Sequence, residues 1–305
     1  ATLFAYDLAT LFTATVFIGI GNGMVEAVCN PLVASMYPDK KTKMLNRFHI
    51  WFPGGIVIGS IIGYVLMAVL GHGWQFLVST LFIPLAVYGF LFVGQAFPQT
   101  ERVQMGVSAR QSAMSLLTPL YLFVGFCMLL SAATELGTTQ RIESLLSATG
   151  VNALLVLAFI NGIMMIGRAM AGSIANRIST VGMLWFSAIF SFIGLQLLTM
   201  ASGGFVFIAA AVFAVGVTFF WPTTLALISE RLPESGALGL SIMGGLGMLS
   251  VSFVLPIMGR ILDNASGAEA LRTMSILPAI LIVLYGGLFF VMRSRAGAPA
   301  GSATH

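Results

Sequence analysis

The sequence predicts an all-α membrane protein, and three observations carry that prediction. Of its 305 residues, 58% belong to the set Ala, Val, Ile, Leu, Met, Phe, Trp, Tyr and Cys, and the mean hydropathy is +0.99. Only 8% are charged, against about 25% in a soluble domain, too few to clothe a globule in water. The apolar residues also fall into nine runs, each at or above the roughly 20 residues that a helix needs to cross the hydrocarbon layer.

Charged residues, Gly and Pro punctuate these runs, whose approximate limits are 8–36, 47–70, 75–97, 116–147, 151–172, 180–201, 204–230, 236–261 and 270–292. Cytoplasmic connections hold an excess of Lys and Arg. One set of alternate connections carries Lys40, Lys41, Lys43, Arg47, Arg102, Arg110, Arg168, Arg177, Arg231, Arg293 and Arg295, which is 11 of the 14 basic residues; the other carries Arg141, Arg260 and Arg272. The carboxyl terminus is therefore expected in the cytoplasm, and nine spans leave the amino terminus outside.

A weak internal repeat fixes the architecture further. The first run ends in Tyr37-Pro38-Asp39 and is followed by a helix rich in glycine (Gly54, Gly55, Gly59, Gly63). The seventh ends in Leu232-Pro233-Glu234 and is followed by Gly244, Gly245 and Gly247. If the first three spans mirror the last three, spans four to six lack partners. A twelve-helix protein is expected, three of whose helices precede residue 1. Residues 1–305 alone are then not expected to transport.

Several classes of function are disfavoured. A net charge of +4, built from 14 basic and 10 acidic side chains, gives no broad basic face for nucleic acid. Cys29 and Cys127 lie in apolar runs without metal-type spacing, so neither metal nor cofactor is expected. Gly-x-x-x-x-Gly-Lys does not occur and no Ser/His/Asp set stands out, so an enzyme is not expected.

The segment Gly19-Ile20-Gly21-Asn22-Gly23-Met24-Val25-Glu26-Ala27-Val28-Cys29-Asn30-Pro31, with Leu45-Asn46 before the glycine-rich helix, resembles the fourth and fifth helices of the fucose, galactose and glucose proton symporters. These are a branch of the major facilitator superfamily. Gly172-Ser173-Ile174-Ala175-Asn176-Arg177 is similar to that superfamily's Gly-x-x-x-Asp-Arg loop motif, with Asn176 where the acid is expected. The resemblance implies a six-plus-six major facilitator fold. Residues 1–97 would be helices four to six of the first half, 98–115 a cytoplasmic linker, 116–295 the second half and 296–305 a disordered tail. One departure is plain: the branch has an Asn near the position of Phe52, and here the polar work of that helix is expected to fall to His49 or Trp51 as gate or relay.

A charge at mid-membrane costs about 2.5–3.5 kcal/mol on insertion scales, so each needs a cavity or a partner. Glu26 lies 12 residues before Pro38, about 18 Å along a helix and near the bilayer centre. Asn22, Glu26 and Asn30 share one helical face. Removal from water disfavours the carboxylate and suits Glu26 to exchange a proton; the competing reading is a structural acid paired with a neighbouring helix. Glu135, Thr139 and Glu143 repeat the spacing, with Gln140 beside them and a break expected at Gly137. Asn22, Asn30, Glu135, Thr139, Gln140 and Trp221 are the expected substrate contacts. Trp221 sits beside Pro222 at mid-span, where its ring could stack on a sugar.

His49, two residues after Arg47, is expected close to the cytoplasmic surface. The function expected is a secondary transporter of a small polar solute, a sugar taken up with protons by alternating access. The alternatives are an exporter of drugs or organic anions, which Arg168 or Arg141 in the cavity would favour, and a transport-dead sensor. The expected setting is a bacterial inner membrane, with the full-length protein a monomer in the bilayer.

Overall fold

The computed structural model describes residues 2–99 and 101–296; the tail expected to be disordered lies outside them from residue 297 onward. All regular structure among the described residues is helical. Among the described residues, nine helices are long and apolar enough to cross a membrane: α1 (Leu8–Met36), α2 (Pro38–Met67), α3 (Trp74–Phe92), α4 (Pro119–Gln140), α5 (Ala153–Ile178), α6 (Thr180–Thr199), α7 (Phe205–Arg231), α8 (Pro233–Asn264) and α9 (Gly267–Ser294). Asp7 caps α1 by accepting from the backbone N–H and hydroxyl of Thr10, each at 2.7 Å. Those bonds hold its carboxyl below the usual range.

The expected spans are present, with one correction. α2 starts at Pro38, not near residue 47, because Lys41, Thr42 and Asn46 are buried on a helical segment that packs against α5 and α7. Buried polar groups need partners, and these have them. Lys41 Nζ donates to the Ser229 carbonyl (2.8 Å), Thr42 Oγ1 to the Glu230 carboxylate (2.5 Å), and Asn46 Nδ2 to Thr223 Oγ1 (3.1 Å).

The sequence repeat has a backbone counterpart. Tyr37 (φ −132°, ψ 63°) and Leu232 (φ −134°, ψ 58°) adopt nearly the same conformation, and each leads into a single 3₁₀ turn, Pro38–Lys40 and Pro233–Ser235. Residues 98–115, expected as a polar connection, carry two short helices, Glu101–Gln104 and Ala109–Ser115. Ser112 Oγ ties the second of these to the Ser235 carbonyl at 2.9 Å.

The core lies in α4–α9. α6 and α7 approach closely through paired glycines: a Cβ on Gly194 would meet the backbone of Phe213, and one on Gly216 the backbone of Ser191. Such small-residue contacts let helices pack where lipid offers no hydrophobic drive. α1 lies along α8, α2 lies between α5 and α7, and α3 packs chiefly on α2.

The break expected at Gly137 is a π-turn over Ala133–Gly137, followed by a short α-turn and a second interruption at Arg141. A π-turn inserts one residue into the helical ladder and re-aims the side chains after it. Here it lies at Glu135.

Candidate functional site

Six helices meet around a cavity of about 120 Å³. Asn22 and Glu26 enter it from α1, His49 and Phe52 from α2, Glu135 and Gln140 from α4, Arg168 from α5, Trp221 from α7 and Met248 from α8. The two helix groups that flank the 98–115 connection both contribute to its wall.

On the α1 side the polar stripe is a hydrogen-bonded chain. Asn30 Nδ2 donates to Glu26 Oε2 at 2.5 Å, which leaves Asn30 Oδ1 to accept from His49 Nε2 at 2.9 Å. The amide orientation therefore assigns the Nε2–H tautomer to His49. Asn30 and His49 are buried and Glu26 is half-buried at the cavity wall.

On the opposite side Arg168 is 1% exposed and every one of its guanidinium nitrogens has a partner. Nη2 meets Glu135 Oε1 at 3.0 Å, Nε donates to the Thr218 carbonyl at 2.8 Å, and Nη1 donates to the His49 carbonyl at 3.0 Å. The last bond crosses from α5 to α2. Glu135 Oε2 is buried without a partner, so one oxygen of this carboxylate is committed to the ion pair and the other is left open.

Trp221, 8% exposed, lines the cavity beside them, and its buried indole Nε1 faces the Glu26 carboxylate without making a hydrogen bond of ordinary length. The glycines of α8 make room for its ring. A Cβ on Gly247 would lie 2.6 and 2.7 Å from two ring carbons and 2.8 Å from Met128 Cε.

Of the residues named from sequence, Asn22, Glu26, His49, Glu135, Gln140 and Trp221 come together around the cavity, and Asn30 supports it from behind. Thr139 is outside the wall and turns its hydroxyl back to the Glu135 carbonyl at 2.8 Å. Trp51 is 71% exposed and does not line the cavity. Two residues rotate a helix by about 200°, so Trp51 faces away where His49 faces in. Phe52, one position further, returns to the wall.

His49 is not the surface residue that its distance from Arg47 suggested. Counted from Pro38 it lies 11 residues into α2, about 17 Å along the helix and level with Glu26. Arg168 is not a connection residue either, which leaves ten basic residues in the more basic set of connections. Its place within the apolar run 151–172 was the available signal. The motif residues lie elsewhere: Gly172 supports the Lys43 side chain, Asn176 lines a separate groove of about 490 Å³ with Lys43, Thr180 and Glu230, and Arg177 is exposed in the last turn of α5.

No curated protein matches the chain significantly. Among solved structures, a crystal structure of the E. coli fucose:proton symporter FucP is similar over 92% of this chain and 77% of its own, with a TM-score of 0.74 and 17% sequence identity. That likeness is one of fold. The family model for the Major Facilitator Superfamily matches residues 1–240. The chain is therefore a multi-pass membrane protein and belongs to the major facilitator superfamily of secondary transporters.

Proposed function

We propose that the protein is a proton-coupled symporter of a small neutral polyol, a sugar in the simplest case, that works by alternating access with Glu26 as the proton-exchanging group. The observation that carries this reading is the charge inventory of the cavity. Two acids and one guanidinium line it, and the guanidinium is committed to Glu135 at 3.0 Å, whereas Glu26 is hydrogen-bonded by a neutral amide at 2.5 Å. Glu26 then carries the uncompensated charge. A proton on it makes the closed, dry intermediate cheaper to traverse.

The same inventory disfavours an organic-anion carrier, which needs a cation free to meet its substrate. The open Glu135 Oε2 accepts a hydroxyl hydrogen, the Trp221 N–H donates to a hydroxyl oxygen, and the carboxamides of Asn22 and Gln140 do both. His49 acts by orienting Asn30 and does not pass protons to Glu26, because the group between them is an amide, which exchanges protons far less readily than it hydrogen-bonds. The setting is a bacterial plasma membrane, with the carboxyl-terminal end in the cytoplasm and the protein monomeric.

The test is sugar-dependent proton movement. The protein expressed from its native gene is reconstituted in vesicles and offered a panel of neutral hexoses and deoxyhexoses while external pH is recorded. The wild type should move protons with its sugar. Glu26→Gln should lose concentrative uptake but keep sugar exchange, since exchange needs no net proton release. Proton-coupled uptake that survives in Glu26→Gln removes Glu26 from the mechanism, and wild-type uptake without proton movement removes symport.

A further inference from the structure

A second feature lies away from the cavity, at the end of the bundle where α5 runs into α6 and where α7 and α9 terminate. The helix ends enclose a groove of about 870 Å³ whose wall includes Arg177, Arg231 and Arg293, contributed by α5, α7 and α9. No Asp or Glu lines it. All three arginines are exposed, and among the described residues none has an acidic or hydrogen-bonding partner. Three like charges gathered from three helices repel one another, so the arrangement favours an anion between them.

Beside the cations the wall is apolar. Trp185 stacks on Phe289 with ring centroids 5.4 Å apart and packs edge-on against Phe290 at 5.5 Å. Phe186, stacked on Phe190 at 4.2 Å, belongs to the same wall. The groove is thus amphiphilic, with guanidinium groups at the helix ends and rigid aromatic faces on the membrane-spanning side.

We infer that this groove binds an anionic phospholipid of the surrounding bilayer, its phosphate held by Arg177, Arg231 and Arg293 and an acyl chain laid along Trp185, Phe186 and Phe289. Guanidinium groups match phosphate oxygens with paired hydrogen bonds, and basic pockets between membrane helices suit anionic headgroups. A free phosphate would satisfy the arginines and leave the aromatic wall without a ligand. A neutral lipid would satisfy the wall and leave three cations without one. The basic-residue count puts this end in the cytoplasm, and the assignment holds whether or not the transported solute is a sugar.

The test is lipid retention by native mass spectrometry of the purified protein, offered equal amounts of phosphatidylglycerol and phosphatidylcholine. The wild type should retain the anionic lipid with at least about a tenfold preference. The triple variant Arg177→Gln/Arg231→Gln/Arg293→Gln should bring the ratio near one. Lys43→Gln/Arg47→Gln/Arg110→Gln, which removes three charges assigned to the same membrane side but outside the groove, should leave the preference in place. Equal retention of both lipids by the wild type, or an equal loss in the two triple variants, overturns the site. Displacement of the lipid by millimolar inorganic phosphate overturns the lipid in favour of a free anion. If the groove variant does not fold, a photoactivatable phosphatidylglycerol on the wild type decides the matter. Crosslinks at Trp185, Phe186 or Phe289 support the site, and crosslinks confined to other faces refute it.

Discussion

The guanidinium of Arg168 and the carboxylate of Glu135 meet at 3.0 Å with side chains 1% and 3% exposed, and the same guanidinium donates to the carbonyl of His49 on α2 at 3.0 Å. One side chain thus neutralises an acid on α4 and ties α5 to the amino-terminal helices. Removing one partner of a buried pair leaves a charge without compensation, at a cost of about 3–5 kcal/mol. Arg168→Gln is expected to lower the thermal unfolding midpoint in detergent sharply. Arg168→Gln/Glu135→Gln should recover much of that loss, because two neutral amides can pair. A double variant no more stable than the single one would show that the pair is not the reason for the loss.

At Trp221 the proposed substrate contact can be separated from packing. Its ring is held by the α8 glycines, and its N–H faces the Glu26 carboxylate without a hydrogen bond of ordinary length to any protein group. Trp221→Phe should therefore keep most of the packing and the fold. A hydrogen bond of about 1 kcal/mol to a substrate hydroxyl corresponds to roughly fivefold in affinity. The expected result is a KM raised about three- to tenfold with little change in unfolding temperature. An unchanged KM across the sugar panel would take the indole N–H out of recognition.

Two neighbouring glycines of α8 should respond in opposite ways. A Cβ at Gly247 would collide with the Trp221 ring and with Met128, whereas one at Gly245 has nothing within 4 Å. Gly247→Ala is expected to displace the indole, reduce transport and cost about 1–3 kcal/mol. Gly245→Ala should be silent in both transport and thermal unfolding. Equal effects at the two positions would mean that the glycines serve helix flexibility and not the accommodation of the ring.

The unequal legibility of these features has physical causes. Apolar run length is a one-dimensional property, so all nine spans could be read, as could the Tyr37-Pro38 and Leu232-Pro233 turns, whose residues restrict the backbone locally. Glu26 was legible because burial of an acid is informative by itself. The place of Arg168 inside the apolar run 151–172 carried the same signal, but its partner was not legible, because which helix supplies it depends on the packing of α4 against α5, and periodicity does not encode that. Lys41 misled for the related reason that a buried carbonyl, Ser229 O at 2.8 Å, can satisfy an ammonium inside the bundle. That made a helical segment resemble a polar turn and put His49 at the surface.

The helical segment that carries Lys41 and Thr42 also closes one end of the molecule. Glu230 Oε1 accepts from the Thr42 hydroxyl at 2.5 Å, and its Oε2 accepts from the Thr180 hydroxyl at 3.0 Å; the two hydroxyls are themselves 3.0 Å apart. Thr42 belongs to α2, Thr180 to α6 and Glu230 to α7, so this cluster joins the amino-terminal helices to the carboxyl-terminal ones. Alternating access requires such contacts to break when that end opens. Thr42→Val keeps the side-chain volume but removes the hydroxyl that joins the two groups. It should shift the population toward opening at this end, and Ser229→Cys, buried in the closed form with 4% exposure, is the reporter. In a Ser229→Cys background otherwise free of cysteine, Thr42→Val should raise labelling by a membrane-impermeant maleimide severalfold, and Thr42→Ser, which restores the hydroxyl, should return it toward the parent rate. Labelling that is indifferent to the hydroxyl would place the closure in the neighbouring Asn46–Thr223 contact and not in the Glu230 cluster.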